Sequence, residues 1–251
     1  MRLAACQTPD VCGDIEQALA LIELNTADAW ARGARLVCFP EAFLQGYVVD
    51  DAHVDRLAIS LSSPEFAKVL ERLAHLEPLV VFGLFERDAG DLYNSAVVVR
   101  RGRLLGRYRK RHLIGSENDI FVPGTECPIF ELGNLKFAIN ICYDMQFRAC
   151  GTEAAEAGAR LLVCPANNML TRRTAEEWKL RHNEMRSEHA RESGLWLLSS
   201  DVTGERAGRV SYGPTALIDP QGVVVQQLPL LETALLVVDI PSGSEGDRTA
   251  A

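Results

Sequence analysis

Short apolar runs alternate with segments of helical period along most of the chain, the pattern of an α/β protein. Residues 2–7 read as a first strand. Asp14 is placed to cap a helix in which Ile15, Leu19, Ile22, Thr26 and Trp30 recur at helical spacing, ending near Gly33. Leu36 to Phe39 form a short strand stopped by Pro40. Ser63-Pro64 opens another helix, with Phe66, Leu70, Leu73 and Ala74 on one face and a stop near Pro78. Strands are expected over 78–85, 95–100 and 104–108, joined by turns that contain glycine. Gly133-Asn134 separates 129–132 from the apolar run 135–141. A helix at about 151–158, a strand over 160–164, a longer helix at about 174–193 and a strand over 195–200 follow. A last pair of strands, 216–219 and 223–227, turns at Pro220-Gln221-Gly222. One layer cannot cover this many buried strands, so the pattern calls for two sheets, each faced by helices.

Composition narrows the classes. A chain of 251 residues with 47% hydrophobic content can bury a sizeable core, and one domain is expected over 1–245. The end of the chain, from Pro241 on, is small and polar, and 246–251 read as a flexible tail or an interface strap. The net charge of −8, spread without a long block, argues against nucleic acid or an anionic membrane as the main partner. No apolar stretch approaches membrane-spanning length, and the first ten residues turn polar too early for a signal peptide. The seven cysteines form no CxxC pair and no zinc spacing, and His182 and His189 lack the i, i+4 geometry of a helical metal pair. A cytoplasmic protein with reduced thiols and no metal or cofactor is expected.

Three polar residues stand where strands end. Cys142 closes the run 135–141, just before a helix-compatible stretch whose N-terminal amides would favour a thiolate. Glu41 follows Pro40 among Phe39, Ala42, Phe43 and Leu44, where a carboxylate is either turned to solvent or held in a partly desolvated pocket in which it can accept and return protons near neutral pH. Lys110 ends the strand that begins at Leu104. In a predominantly parallel layer these strand ends share one edge, so a base, a cation and a thiol can meet there. His112 packs or hydrogen-bonds at the strand exit, Trp178 and Trp196 belong to the core, and Asp144 can satisfy free amides of the turn after Cys142.

The segments Phe39-Pro40-Glu41, Tyr108-Arg109-Lys110-Arg111-His112-Leu113 and Ile141-Cys142-Tyr143-Asp144 resemble, in order and spacing, the three signatures of the nitrilase superfamily, the carbon–nitrogen hydrolases. The likeness extends to Glu117, to Pro165-Ala166-Asn167 and to 213–222. It implies an αββα four-layer sandwich that pairs into a homodimer through the helices after Cys142 and around 174–193. It also implies that Glu41 takes the Cys142 proton, that Lys110 and the Tyr143 N–H hold the oxyanion, and that Glu117 orients substrate and supports the lysine. The implied reaction is hydrolysis of a small linear amide through a cysteine thioester. N-carbamoyl compounds and nitriles are the alternative substrates, and an inactive binding scaffold is the alternative to an enzyme. Where many members carry Pro-Glu shortly after the cysteine turn, this chain has Arg148-Ala149, and Arg148 reads as a surface residue or a carboxylate ligand. Loops 47–60, 113–127 and 166–174 are expected to shape the pocket.

Overall fold

A computed structural model describes residues 1–241, so the expected tail 246–251 lies outside the described residues. The first half runs β1 (Arg2–Pro9), α1 (Ile15–Ala31), β2 (Leu36–Cys38), α2 (Asp51–Leu57), α3 (Pro64–Arg72), β3 (Leu79–Asp88), β4 (Asp91–Arg100), β5 (Arg103–Arg109) and α4 (Glu117–Ile120). The second half runs β6 (Phe130–Leu132), β7 (Leu135–Ile139), α5 (Arg148–Glu156), β8 (Leu161–Pro165), β9 (Leu170–Thr171), α6 (Arg172–Trp178), α7 (Arg181–Ser193), β10 (Trp196–Arg206), β11 (Arg209–Tyr212), β12 (Ala216–Ile218), β13 (Val224–Gln227) and β14 (Ala234–Asp239). No helix among the described residues is long and apolar enough to cross a membrane.

The strands form two mixed sheets that share β10. Residues 196–200 of β10 pair in parallel with β8, while 201–203 pair in parallel with β1. Side-chain alternation then sorts the layers. Leu3, Leu36 and Val81 of one sheet meet Phe137, Val163 and Leu198 of the other between the sheets. Their neighbours Ala4, Val37 and Val80 face out with Leu19 and Ile22 of α1 and Phe66 of α3. On the other side Ala138, Leu162 and Leu197 pack with Ala154 of α5 and Ala190 of α7. The result is helix, sheet, sheet, helix, the expected four layers.

Local signals account for most boundaries. Asp14 caps α1 by accepting the Gln17 N–H at 2.9 Å, and Ser63 caps α3 through the Phe66 N–H at 3.2 Å. Trp30, expected on the buried face of α1, is 45% exposed, because Ala29 occupies the position that turns inward. The helix expected over 174–193 is two helices, α6 and α7, with Leu180 64% exposed at the break between them. α2 lies inside the segment read as a loop, capped by Asp50 through the His53 N–H at 2.9 Å. β14 joins β1 in antiparallel register from Arg2↔Asp239 to Gln7↔Ala234, a pairing of the two ends of the described chain that no local pattern announces.

Candidate active site

β1, β2, β3, β7, β8 and β10 are mutually parallel, and β5 returns to the same direction after the antiparallel β4. The C-terminal ends of β2, β5 and β7 therefore lie at one edge and deliver Glu41, Lys110 and Cys142 there. The Glu41 turn is seated on β3: Gly83 N–H donates to Pro40 O at 3.1 Å, and Leu44 N–H donates back to Gly83 O at 3.1 Å. A Cβ on Gly83 would come within 2.2 Å of Ala42 N, so only glycine permits this approach. Gln45, fully buried, clamps the turn by accepting the Phe85 N–H at 3.0 Å and donating to Phe85 O at 3.3 Å.

Lys110 Nζ donates to Glu41 Oε1 at 2.7 Å and to Glu117 Oε1 at 2.9 Å, with all three side chains no more than 1% exposed. Asn94 Nδ2 bridges the same two oxygens at 2.8 and 2.9 Å. Glu41 Oε2 accepts the Asn167 N–H at 3.1 Å, and Glu117 Oε2 accepts the Ile114 N–H at 3.0 Å. One ammonium thus sits between two buried carboxylates. Burial raises Glu41 above its ordinary range, Lys110 opposes that and Glu117 adds to it. For Lys110 burial works against the charge, but Glu41, Tyr47, Glu117 and Cys142 outweigh it and hold the ammonium well above its usual range.

Cys142 begins a 3₁₀ turn, Cys142–Gln146, and has φ of +44°, a left-handed conformation that costs a non-glycine residue about 1–2 kcal/mol. Asp144 holds that turn. Its Oδ2 accepts the Ile141 N–H at 3.0 Å and the Tyr108 hydroxyl at 2.8 Å, while Oδ1 accepts the N–H groups of Arg111 at 3.2 Å and His112 at 2.9 Å. A single buried carboxylate therefore ties the cysteine turn to the strand exit that carries Lys110. His112 stacks on Phe147 at 3.6 Å and keeps Nδ1 3.0 Å from Asp144. Burial and then Glu41 push the Cys142 thiol well above its ordinary value, more than Lys110 lowers it, against the direction expected from a helix N-terminus. The short 3₁₀ turn does not supply what a full helix N-terminus would.

Cys142 and Lys110 open into a cavity of about 620 Å³. The three expected loops contribute Tyr47, Ile114 and Met169 to its wall, but Trp178, His182 and Arg209 also line it. Trp178 thus belongs to the cavity rather than to the core alone. Burial and the charge of Arg186 lower His182 to about 3, so it presents a neutral ring. Arg148 does not line this cavity; it pairs with Glu192 at 2.7 Å and is 75% exposed, the surface residue of the two readings.

A family model for carbon–nitrogen hydrolases matches residues 2–248. The chain belongs to that family. The carbon–nitrogen hydrolase relatives include a nitrilase of Pyrococcus abyssi, 30% identical over 85% of this chain and 79% of its own length. A glutamine-dependent NAD(+) synthetase of Thermotoga maritima is 26% identical over 96% of this chain, which spans only 42% of that relative. Among solved structures, an amidase from Nesterenkonia sp. AN1 superposes with a TM-score of 0.83 and 26% identity, covering 96% of this chain and 90% of that one. That structure, of a point mutant of the amidase, carries the acetamide moiety of fluoroacetamide covalently added at its active site cysteine.

Within this carbon–nitrogen hydrolase, Glu41, Lys110 and Glu117 make direct contacts, and Cys142 and Tyr143 line the cavity with Lys110. The motifs do not single out Asn94, although it interrupts an otherwise apolar strand with Ser95 and could have been read as a buried polar pair. Asn168 and Asp201 likewise escape local patterns, since their roles depend on which strands become neighbours.

Proposed function

We propose that this chain, as a single domain, hydrolyses a small linear amide to a carboxylic acid and ammonia, with Cys142 as nucleophile. The observation that carries this reading is the buried Glu41–Lys110–Glu117 array, whose Lys110 lines the same cavity as Cys142. Burial, aided by Glu117, raises the proton affinity of Glu41 while Lys110 opposes the rise, which suits a group that must accept and return a proton. Cys142 Sγ attacks the amide carbon as its proton passes to Glu41. Lys110 Nζ and the Tyr143 N–H, which starts a turn where amides lack intrahelical acceptors, hold the developing oxyanion. The C–N bond then breaks as Glu41 returns the proton to the leaving ammonia, leaving a thioester on Cys142. Glu41 next removes a proton from water, the hydroxide adds to the thioester, and collapse releases the acid and the Cys142 thiol.

Glu117 keeps Lys110 in place, and its own carboxylate is anchored by the Ile114 N–H. The cavity volume lies within the range of small-molecule sites, and Tyr47, Ile114, Tyr143, Met169 and Trp178 give it largely apolar walls suited to a short aliphatic chain. The reading also carries a homodimer through the faces of α5 and α7; a monomeric mass by light scattering at micromolar concentration counts against that part. The functional test is ammonia release from a panel of small amides, N-carbamoyl compounds and nitriles, together with intact-mass detection of an acyl adduct after acid quench. Amides should react fastest, with the adduct on the Cys142 peptide. Undiminished turnover in Cys142→Ala sinks the assignment.

A further inference from the structure

Cys142 meets a second buried network that the proposed reaction does not use. Its thiol lies 3.8 Å from Asn168 Oδ1, within reach of a hydrogen bond to sulfur. Asn168 follows the end of β8 and is 7% exposed. Its backbone N–H donates to Asp201 Oδ1 at 3.0 Å, and its side-chain Nδ2 donates to Asp201 Oδ2. Asp201 is fully buried on β10 and accepts from Arg186 Nη2 at 3.4 Å. Arg186, 2% exposed on α7, is fixed in turn by Pro214 O at 2.7 Å, Asn183 Oδ1 at 3.1 Å and Ser199 Oγ at 3.3 Å.

This arrangement decides which end of the Asn168 amide faces the sulfur. A carboxylate only accepts, so the NH₂ must point to Asp201 and the carbonyl oxygen must point to Cys142. A side-chain carbonyl there can accept an S–H bond but cannot stabilise a thiolate. A buried Asp–Arg pair is a poor source of stability in itself, because desolvation offsets most of its attraction. What it does supply here is a fixed orientation for one amide.

We propose that Asn168 is a positioning residue that holds the Cys142 thiol protonated and directed until Glu41 takes its proton, and that Asp201 with Arg186 fixes the orientation of its amide. This rests on the reading of Cys142 as the nucleophile. The resting enzyme then keeps a thiol of low intrinsic reactivity, and the sulfur becomes nucleophilic only as substrate and Glu41 engage it. The other titratable and charged groups that act on Cys142 are Glu41, Lys110, Cys164, Asp201 and Tyr47, and replacing Asn168 leaves all of them in place.

The test is the rate of Cys142 carbamidomethylation by iodoacetamide as a function of pH, followed on the Cys142 peptide by mass spectrometry, alongside kcat and KM. Asn168→Ala removes the acceptor but retains the backbone N–H to Asp201, so the loop stays anchored. The midpoint of its alkylation profile should fall by about one pH unit, the size of one lost hydrogen bond to the thiol. kcat should fall about tenfold or more with KM within about threefold, the signature of lost orientation rather than lost binding. Asn168→Ser, whose short hydroxyl side chain no longer reaches the sulfur while the Asp201 charge and the backbone N–H to it remain, should move the midpoint in the same direction and serves as the readout if Asn168→Ala does not fold. A midpoint that stays at the wild-type value in these variants overturns the proposal, whatever happens to kcat. Should Cys142→Ala retain turnover, the functional reading fails instead, while the alkylation profile still reports on the Asn168 contact.

Discussion

Replacing Lys110 by methionine keeps an unbranched apolar stem and removes the ammonium, with its charge and N–H donors, that Glu41 and Glu117 share. In the native protein Nζ lies 2.7 Å from Glu41 Oε1 and 2.9 Å from Glu117 Oε1, with the three side chains no more than 1% exposed. In Lys110→Met both carboxylates remain buried, joined only by the Asn94 amide. Removing one partner from a buried ion pair costs about 3–5 kcal/mol, a large part of the stability of an ordinary domain at about 5–15 kcal/mol. The cost has a direction in pH. Burial already raises Glu41 above its ordinary 4.5 while the charge of Lys110 opposes the rise, so losing that charge moves Glu41 further up. A carboxyl with a raised folded pKa binds more protons folded than unfolded, so its penalty is absent below the unfolded value and grows as pH climbs through the folded one. Urea unfolding of wild type and variant should therefore show a wide stability gap at about pH 8 that narrows by more than about 1 kcal/mol at about pH 5. Turnover should be lost at either pH. An equal gap at both pH values would refute the claim that the ammonium neutralises two buried carboxylates.

Gly83→Ala puts a Cβ 2.2 Å from Ala42 N and 2.7 Å from Glu41 Cα; displacing the base by the shift this demands should lower kcat about 100-fold with far-UV dichroism preserved, as steady-state kinetics would show. Asp144→Ala strands the Ile141, Arg111 and His112 N–H groups and the Tyr108 hydroxyl, and calorimetry should find Tm lower by about 5–10 °C. The acid limb of kcat/KM should have its midpoint above 4.5, because Glu41 must be ionised to act as base and burial raises its proton affinity; a midpoint below that value rules Glu41 out as the base. Arg148→Ala, losing one exposed ion pair to Glu192, should change stability by less than about 0.5 kcal/mol and leave kcat intact.

Periodicity and end signals determined most of the layers: the caps at Asp14 and Ser63, the strand that stops at Pro40 and the apolar run that ends before Cys142 are all local features, and local features survive being read one segment at a time. Residue chemistry at strand exits pointed to Glu41, Lys110 and Cys142, and the resemblance of the motifs to the nitrilase superfamily added Glu117 and Tyr143 as expectations. Tertiary structure alone decided what those residues experience. The split at Leu180, the exposure of Trp30 and the pairing of β14 with β1 follow from competition among packed neighbours rather than from intrinsic propensity. Asn94 is opposite Phe85 only because β3 and β4 pair in that register, and Asn168 reaches Asp201 only because 199–200 of β10 lie beside 164–165 of β8. The raised proton affinities of Glu41 and Cys142 have the same origin. A side chain's identity is written in the chain, but its desolvation and the charges that face it are sums over residues brought together from distant positions, and those sums exist only once the sheets have formed.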